Sequence, residues 1–178
     1  MGIRLQGSRN VTVSGLTIAD CWGDCIYIGG GSKNTQISNC QLRGSRRQGI
    51  SITKADGVTV SNCKISNISG TNPQYAIDIE PNKRCVVDNV LIENVTVTGC
   101  EGGFRAVIGK EEFGNARIGK VEILNCNVMA KSRQTIFLGG CDEAVVNNCV
   151  IETRKGEKPI LSRKVGHMSE MNNKVIYK

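Results

Sequence analysis

The stretch VTVSNCKI, residues 58–65, recurs along this chain without gaps: VTVSGLTI from Val11, TQISNCQL from Thr35, VLIENVTV from Val90, VEILNCNV from Val121 and AVVNNCVI from Ala144. Successive copies start 24, 23, 32, 31 and 23 residues apart. A fixed period of this size, with two longer turns, is one coil of a stacked solenoid. Within the octet the third and eighth columns are aliphatic: Val13, Ile37, Val60, Ile92, Ile123 and Val146, then Ile18, Leu42, Ile65, Val97, Val128 and Ile151. The sixth column holds Leu16, Cys40, Cys63, Val95, Cys126 and Cys149. Four cysteines sharing a column with Leu and Val behave as small buried hydrophobes, so reduced stacked thiols are expected.

The fifth column reads Gly15, Asn39, Asn62, Asn94, Asn125 and Asn148. An Asn at a bend can satisfy turn backbone groups, and the expectation is an inward Asn ladder bonded from coil to coil. On that reading the glycosylation sequon at Asn94 is accidental, as are those at Asn10 and Asn67. A second strand follows each first one: Ile3-Arg4-Leu5, Ile26-Tyr27-Ile28, Ile50-Ser51-Ile52, Ile77-Asp78-Ile79, Ala106-Val107-Ile108, Ile136-Phe137-Leu138 and Ile160-Leu161-Ser162. Period-2 alternation turns the first and third residue of each triplet inward and the middle one outward. Gly-rich turns such as Gly29-Gly30-Gly31 separate the strands. The predicted fold is all-β, a right-handed parallel β-helix of about seven rungs. Residues 1–178 form a single domain, expected to be a fragment of a longer chain because both ends begin or finish within a rung.

The net charge of +7 favours a polyanionic partner. Aromatics make up only 4% of the chain and are not interleaved with basic residues, which disfavours nucleic acid. No apolar run is long enough to cross a bilayer, and residues 1–10 carry no apolar leader core, so no membrane partner is expected. Nine cysteines without a single CxxC spacing, and one histidine far from them at His167, argue against zinc.

The segments Gly23-Asp24-Cys25-Ile26-Tyr27-Ile28-Gly29, Asn34, Ile37-Ser38-Asn39-Cys40 and Gly49-Ile50-Ser51-Ile52 resemble the pectate lyase and polygalacturonase superfamily. Residues 46–52 and 75–82 are similar to the β-helix domains of phage tailspikes and bacterial surface proteins. The resemblance implies a bacterial or phage protein, extracellular or borne on a virion, that acts on or holds a polysaccharide. By analogy with tailspikes it also implies a homotrimer, or flanking domains that cover the solenoid ends. The chain departs from the polygalacturonase pattern. One aspartate, Asp24, stands where two adjacent ones precede the cysteine; Arg47-Gln48-Gly49 replaces Gly-His-Gly; and Arg105-Ala106-Val107 stands nearest to Arg-Ile-Lys.

Two constellations carry candidate chemistry. Asp78 and Glu80, two apart on one strand, fall on the exposed face about 6.6 Å apart, a spacing that suits glycoside hydrolysis. Arg105, one rung on and slightly offset, lies within reach of Asp78 and could grip a uronate carboxylate. In a lyase Arg105 would instead help remove the proton α to that carboxylate, with Ca²⁺ held by Asp78 and Glu80. Asp24 and Arg47 occupy equivalent turns one rung apart, with Asp20 and Arg46 nearby, and form a second acid–base cluster. About two rungs separate Asp24 from Asp78, so the two are not expected to be direct partners, and one site spanning both would need a substrate several sugars long. Trp22, Tyr27, Tyr75, Arg46, Gln48 and Ser51 are the expected substrate contacts, the aromatics as outward stacking surfaces. The reading is a polysaccharide hydrolase or lyase. The alternative is a non-catalytic, glycan-binding or structural segment of a tailspike or adhesin.

Overall fold

A computed structural model describes residues 1–109, 115–131 and 134–178. Each coil contributes one strand to each of three seven-stranded parallel sheets. The front sheet stacks Ile3–Gln6, Ile26–Gly29, Ile50–Ile52, Tyr75–Ile79, Gly102–Val107, Ile136–Gly139 and Ile160–Arg163. The second sheet runs from Arg9–Ser14 to His167–Met171, and the third from Thr17–Ala19 to Lys174–Tyr177. The expected parallel solenoid and its seven rungs are therefore present.

The core is a set of vertical columns. Ile26, Ile50 and Ile77 stack in register on the front sheet, as do Ile28, Ile52 and Ile79, and all six are buried. Cys40, Cys63, Val95, Cys126 and Cys149 are buried, and the four cysteines are free thiols as expected. Burial pushes the Cys63 thiol up to about 11, which suppresses the reactive thiolate. Leu16 heads that column in the first coil and is exposed.

Two expectations fail. The fifth-column asparagines are not inward. Asn39, Asn62, Asn94, Asn125 and Asn148 are all exposed, with φ between 52° and 57°, and Gly15 shares that conformation. The bend between the second and third sheets needs one left-handed residue. That requirement selects Asn or Gly at this column through the backbone, not through an interior ladder. The inward placement of Asn94 falls with it. Stacked amides do occur, but in another column and in solvent, where Asn34 Nδ2 donates to Asn10 Oδ1 at 3.0 Å.

The second failure is one of phase. The fifth front-sheet triplet is Phe104-Arg105-Ala106, because Ile77 pairs with Phe104 and Asp78 with Arg105. Alternation is blind to a shift of two residues, since the same parity stays inward. The choice falls to the larger apolar side chain, and Phe104 is fully buried. Arg105 therefore stands directly beside Asp78 on the sheet, without an offset.

Candidate active site

The outward column of the front sheet reads Arg4, Tyr27, Ser51, Asp78, Arg105, Phe137 and Leu161, each paired in register with the next. At its centre Tyr27, Arg47, Gln48, Ser51, Asp78 and Glu80 line a pocket of about 140 Å³, completed by Thr53 and Asn82. Sequence reading missed Thr53 and Asn82. Thr53 was findable, because it follows Ser51 by two and so shares its outward parity.

Asp78 points outward but is only 2% exposed, contrary to the exposed position expected of it. The reason is its neighbours, which close over it. Arg105 Nη1 donates to Asp78 Oδ1 at 2.8 Å, while Gln48 Nε2 donates to Asp78 Oδ2. The other end of the guanidinium, Nη2, donates to Glu80 Oε1 at 3.2 Å, so one arginine forks between two carboxylates. Burial pushes Asp78 up to about 6; Arg105 opposes that shift and the charge of Glu80 adds to it. Burial disfavours the charge on Arg105, but Asp78 and Glu80 outweigh it and hold the guanidinium above its ordinary value.

Asp24 is 1% exposed and does not line the pocket. Arg47 clamps it with two bonds, Nε to Oδ1 at 2.8 Å and Nη2 to Oδ2 at 2.7 Å. That clamp raises the Arg47 guanidinium above its ordinary value, against its own partial burial. The Ser51 hydroxyl lies 3.0 Å from Asp24 Oδ2 and also contacts Gln48 Oε1. Its single proton serves one acceptor at a time.

Asp24 and Asp78 are not direct partners, as expected, but Ser51 and Gln48 join their clusters. Arg47, Asp24, Ser51, Gln48, Asp78, Arg105 and Glu80 form one hydrogen-bonded chain. Three polar contacts and one side-chain amide join the carboxylates of Asp24 and Asp78, a path no longer than about 11 Å, and the single Ser51 proton makes two of the three contacts hydrogen bonds at any moment. Two rungs amount to about 10 Å, which a Gln on the rung between can bridge. Asp20 stays outside this chain; it is exposed and lies 3.9 Å from Arg43.

The aromatics divide. Tyr27 is partly buried, with its hydroxyl 2.8 Å from Thr53 Oγ1 and the Arg4 guanidinium 5.7 Å from its ring centre. Tyr75 is buried, not an outward surface, and its hydroxyl donates to Gln134 Oε1 at 3.4 Å. Trp22 is 81% exposed, with the Arg46 guanidinium stacked 4.0 Å from its ring centre. Arg46 thus covers one face of Trp22 and leaves the rest of the indole exposed, and neither residue lines the pocket.

The residues present do not fit Ca²⁺. That ion takes six to eight oxygens, whereas Asp78 and Glu80 already share one guanidinium. Among the described residues no group of three potential ligands of the Asp, Glu, His or Cys type comes together.

Compared with known proteins, residues 1–156 match the family described as right handed beta helix region. Two proteins of Bacillus subtilis (strain 168) are similar over part of the chain. The uncharacterized protein YclG is 39% identical over 92 residues, and the SPbeta prophage-derived uncharacterized protein YorA is 31% identical over 93. Each alignment covers 44% of this chain and 16% of the relative.

Proposed function

Because the chain belongs to the right-handed β-helix family, whose coils present a long flat face, we propose that its front sheet binds an extracellular polysaccharide and hydrolyses it at Asp78 and Glu80. The observation that carries this reading is a buried carboxyl, pushed up to about 6, opening onto a polar pocket beside a second carboxylate. A group with that value is still partly protonated near neutral pH and can act as a general acid. Asp78 gives its proton to the glycosidic oxygen as the bond from the anomeric carbon to that oxygen breaks. Glu80 accepts a proton from the water whose oxygen bonds to the anomeric carbon. Arg105 sets the distance between the two carboxyls. Asp24 acts as a positioning residue, because Arg47 and Ser51 cover it. Tyr27, which lines the pocket, and the exposed Trp22 serve as sugar-stacking surfaces.

The pocket is too small for a whole ligand, so it would take one unit of a chain lying along the sheet. A phage or extracellular setting is consistent with the prophage derivation of the relative YorA, and with a homotrimer or neighbouring domains covering the solenoid ends. A second reading, a binding or spacer segment without turnover, is favoured by one observation: both candidate acids already carry Arg105 as a partner.

The test is release of new reducing ends from a panel of bacterial cell-surface polysaccharides. Asp78→Asn should lower the rate by about 10² to 10⁴ with the fold intact. Equal turnover by wild type and Asp78→Asn would reject the assignment. Binding without any product would establish the second reading.

A further inference from the structure

Beyond Arg105 the front face opens into a larger groove of about 580 Å³, lined by Arg105, Val107, Ile108, Phe137, Arg163 and Lys164. Its lining also includes Gly109, Gly139 and Gly140. A Cβ on Gly139 would lie 3.4 Å from Val107 Cγ2 and 3.7 Å from Phe137 Cε2, and Gly140 holds a left-handed φ of 74°. The groove continues the pocket along the solenoid axis, since Arg105 pairs with Phe137 and Gly139 with Arg163. One to two rungs separate its centre from Asp78, about 5 to 10 Å.

Its chemistry differs from that of the pocket. No carboxylate lines it among the described residues. Arg105 is already paired with Asp78 and Glu80, but Arg163 and Lys164 make no ion pair among the described residues. The Arg163 guanidinium lies 5.8 Å from the Phe137 ring centre, placing a cation against the aromatic wall. Val107 and Ile108 extend that wall with aliphatic surface, which a sugar ring stacking on Phe137 alone does not need. Most of a binding groove's lining is apolar, and its few polar groups set orientation. Here those polar groups are cations.

We infer that this groove is a subsite for an acidic sugar that also carries an acyl group, its anion held by Arg163 and Lys164 and its methyl laid against Val107, Ile108 and Phe137. The inference rests on the proposed glycan-active front sheet and names the substrate class of that site. Charge complementarity selects the anion, and the aliphatic wall selects the acyl methyl.

Binding of three oligosaccharides of similar length to the full chain at low salt tests it. Oligomeric polysialic acid carries a carboxylate and an acetyl group on every ring, oligogalacturonate only the carboxylate, and a chitooligosaccharide only the acetyl group. The polysialic acid oligomer should bind at least about tenfold more tightly than either of the others. Arg163→Gln with Lys164→Gln, two exposed changes, should weaken it about tenfold and leave the chitooligosaccharide unchanged. Phe137→Ala, checked for an unchanged melting curve, should weaken both acetylated ligands. Equal affinity for oligogalacturonate and polysialic acid overturns the inference, as does a double-Gln variant that binds like wild type, or no binding of any of the three. Polysaccharide cleavage lost in Asp78→Asn would still stand after each of those outcomes, so the two ideas fail separately.

Discussion

Asp24 and Asp78 are built from the same parts and behave differently. Each is almost fully buried, each faces an arginine one rung on, and each touches a polar side chain of the rung bearing Gln48 and Ser51. Asp24 has Arg47 to itself, through both a Nε and a Nη bond. Asp78 receives one nitrogen of Arg105, and Glu80 takes the other. A shared guanidinium leaves burial uncompensated, and Asp78 rises to about 6. The two acids thus differ in whether one arginine serves one carboxylate or is divided between two.

The largest effect separates the two arginines. Arg47→Ala strands Asp24 as a buried charge and should cost about 3 kcal/mol, measured by urea unfolding at pH 5. Arg105→Ala should cost only about 1 kcal/mol at that pH, because Asp78 is already largely protonated there and Glu80 can turn to water. The cost of Arg105→Ala should then grow as the pH rises above 6. Equal costs at pH 5 would contradict the distinction.

Next in size is the pH dependence carried by Asp78 itself. Its folded value, about 6, lies above the ordinary 3.8. The native state therefore holds this proton more tightly than the unfolded chain between those limits. The stability it contributes is complete below about pH 4 and is lost as the pH rises through 6. Asp78→Asn removes the titration. The stability of wild type relative to Asp78→Asn should accordingly fall by about 2 kcal/mol between pH 4 and 6.5. A flat difference across that range would place Asp78 among ordinary surface acids.

Much of this molecule was legible in its sequence, and the gaps have physical causes. The columns led by Val13 and Ile18 announce the coil, because inward positions admit only apolar side chains of matched size. The outward parity of Ser51, Asp78 and Arg105 follows from the same alternation. Asn62 and its equivalents reveal a bend, yet residue type alone does not tell a left-handed backbone from an inward amide ladder. Phe104 shows the limit of period 2, which fixes the face and leaves the register free by two. The joining of the two acid clusters was hidden for a further reason: it depends on how far Gln48 reaches across a rung, and side-chain reach leaves no periodic trace.

That reach supplies the smallest effect and the sharpest one. If Gln48 and Ser51 only filled space, removing them singly and together would give additive costs. Ser51 contacts both Asp24 and Gln48, and Gln48 passes the contact on to Asp78. Gln48→Ala frees the Ser51 proton to settle on Asp24, and takes from Asp78 the donor that partly replaces water. Ser51→Ala leaves the Gln48 Oε1 contact unmade. Once either is gone, the other has less to lose, so a double-mutant cycle in urea should show a coupling of about 1 kcal/mol. The same cycle in Arg47→Lys, which replaces the two-bond fork with a single charge, should show a smaller coupling, because Asp24 then competes harder for the Ser51 proton. Strict additivity in both backgrounds would mean that Asp24 and Asp78 are neighbours without being connected.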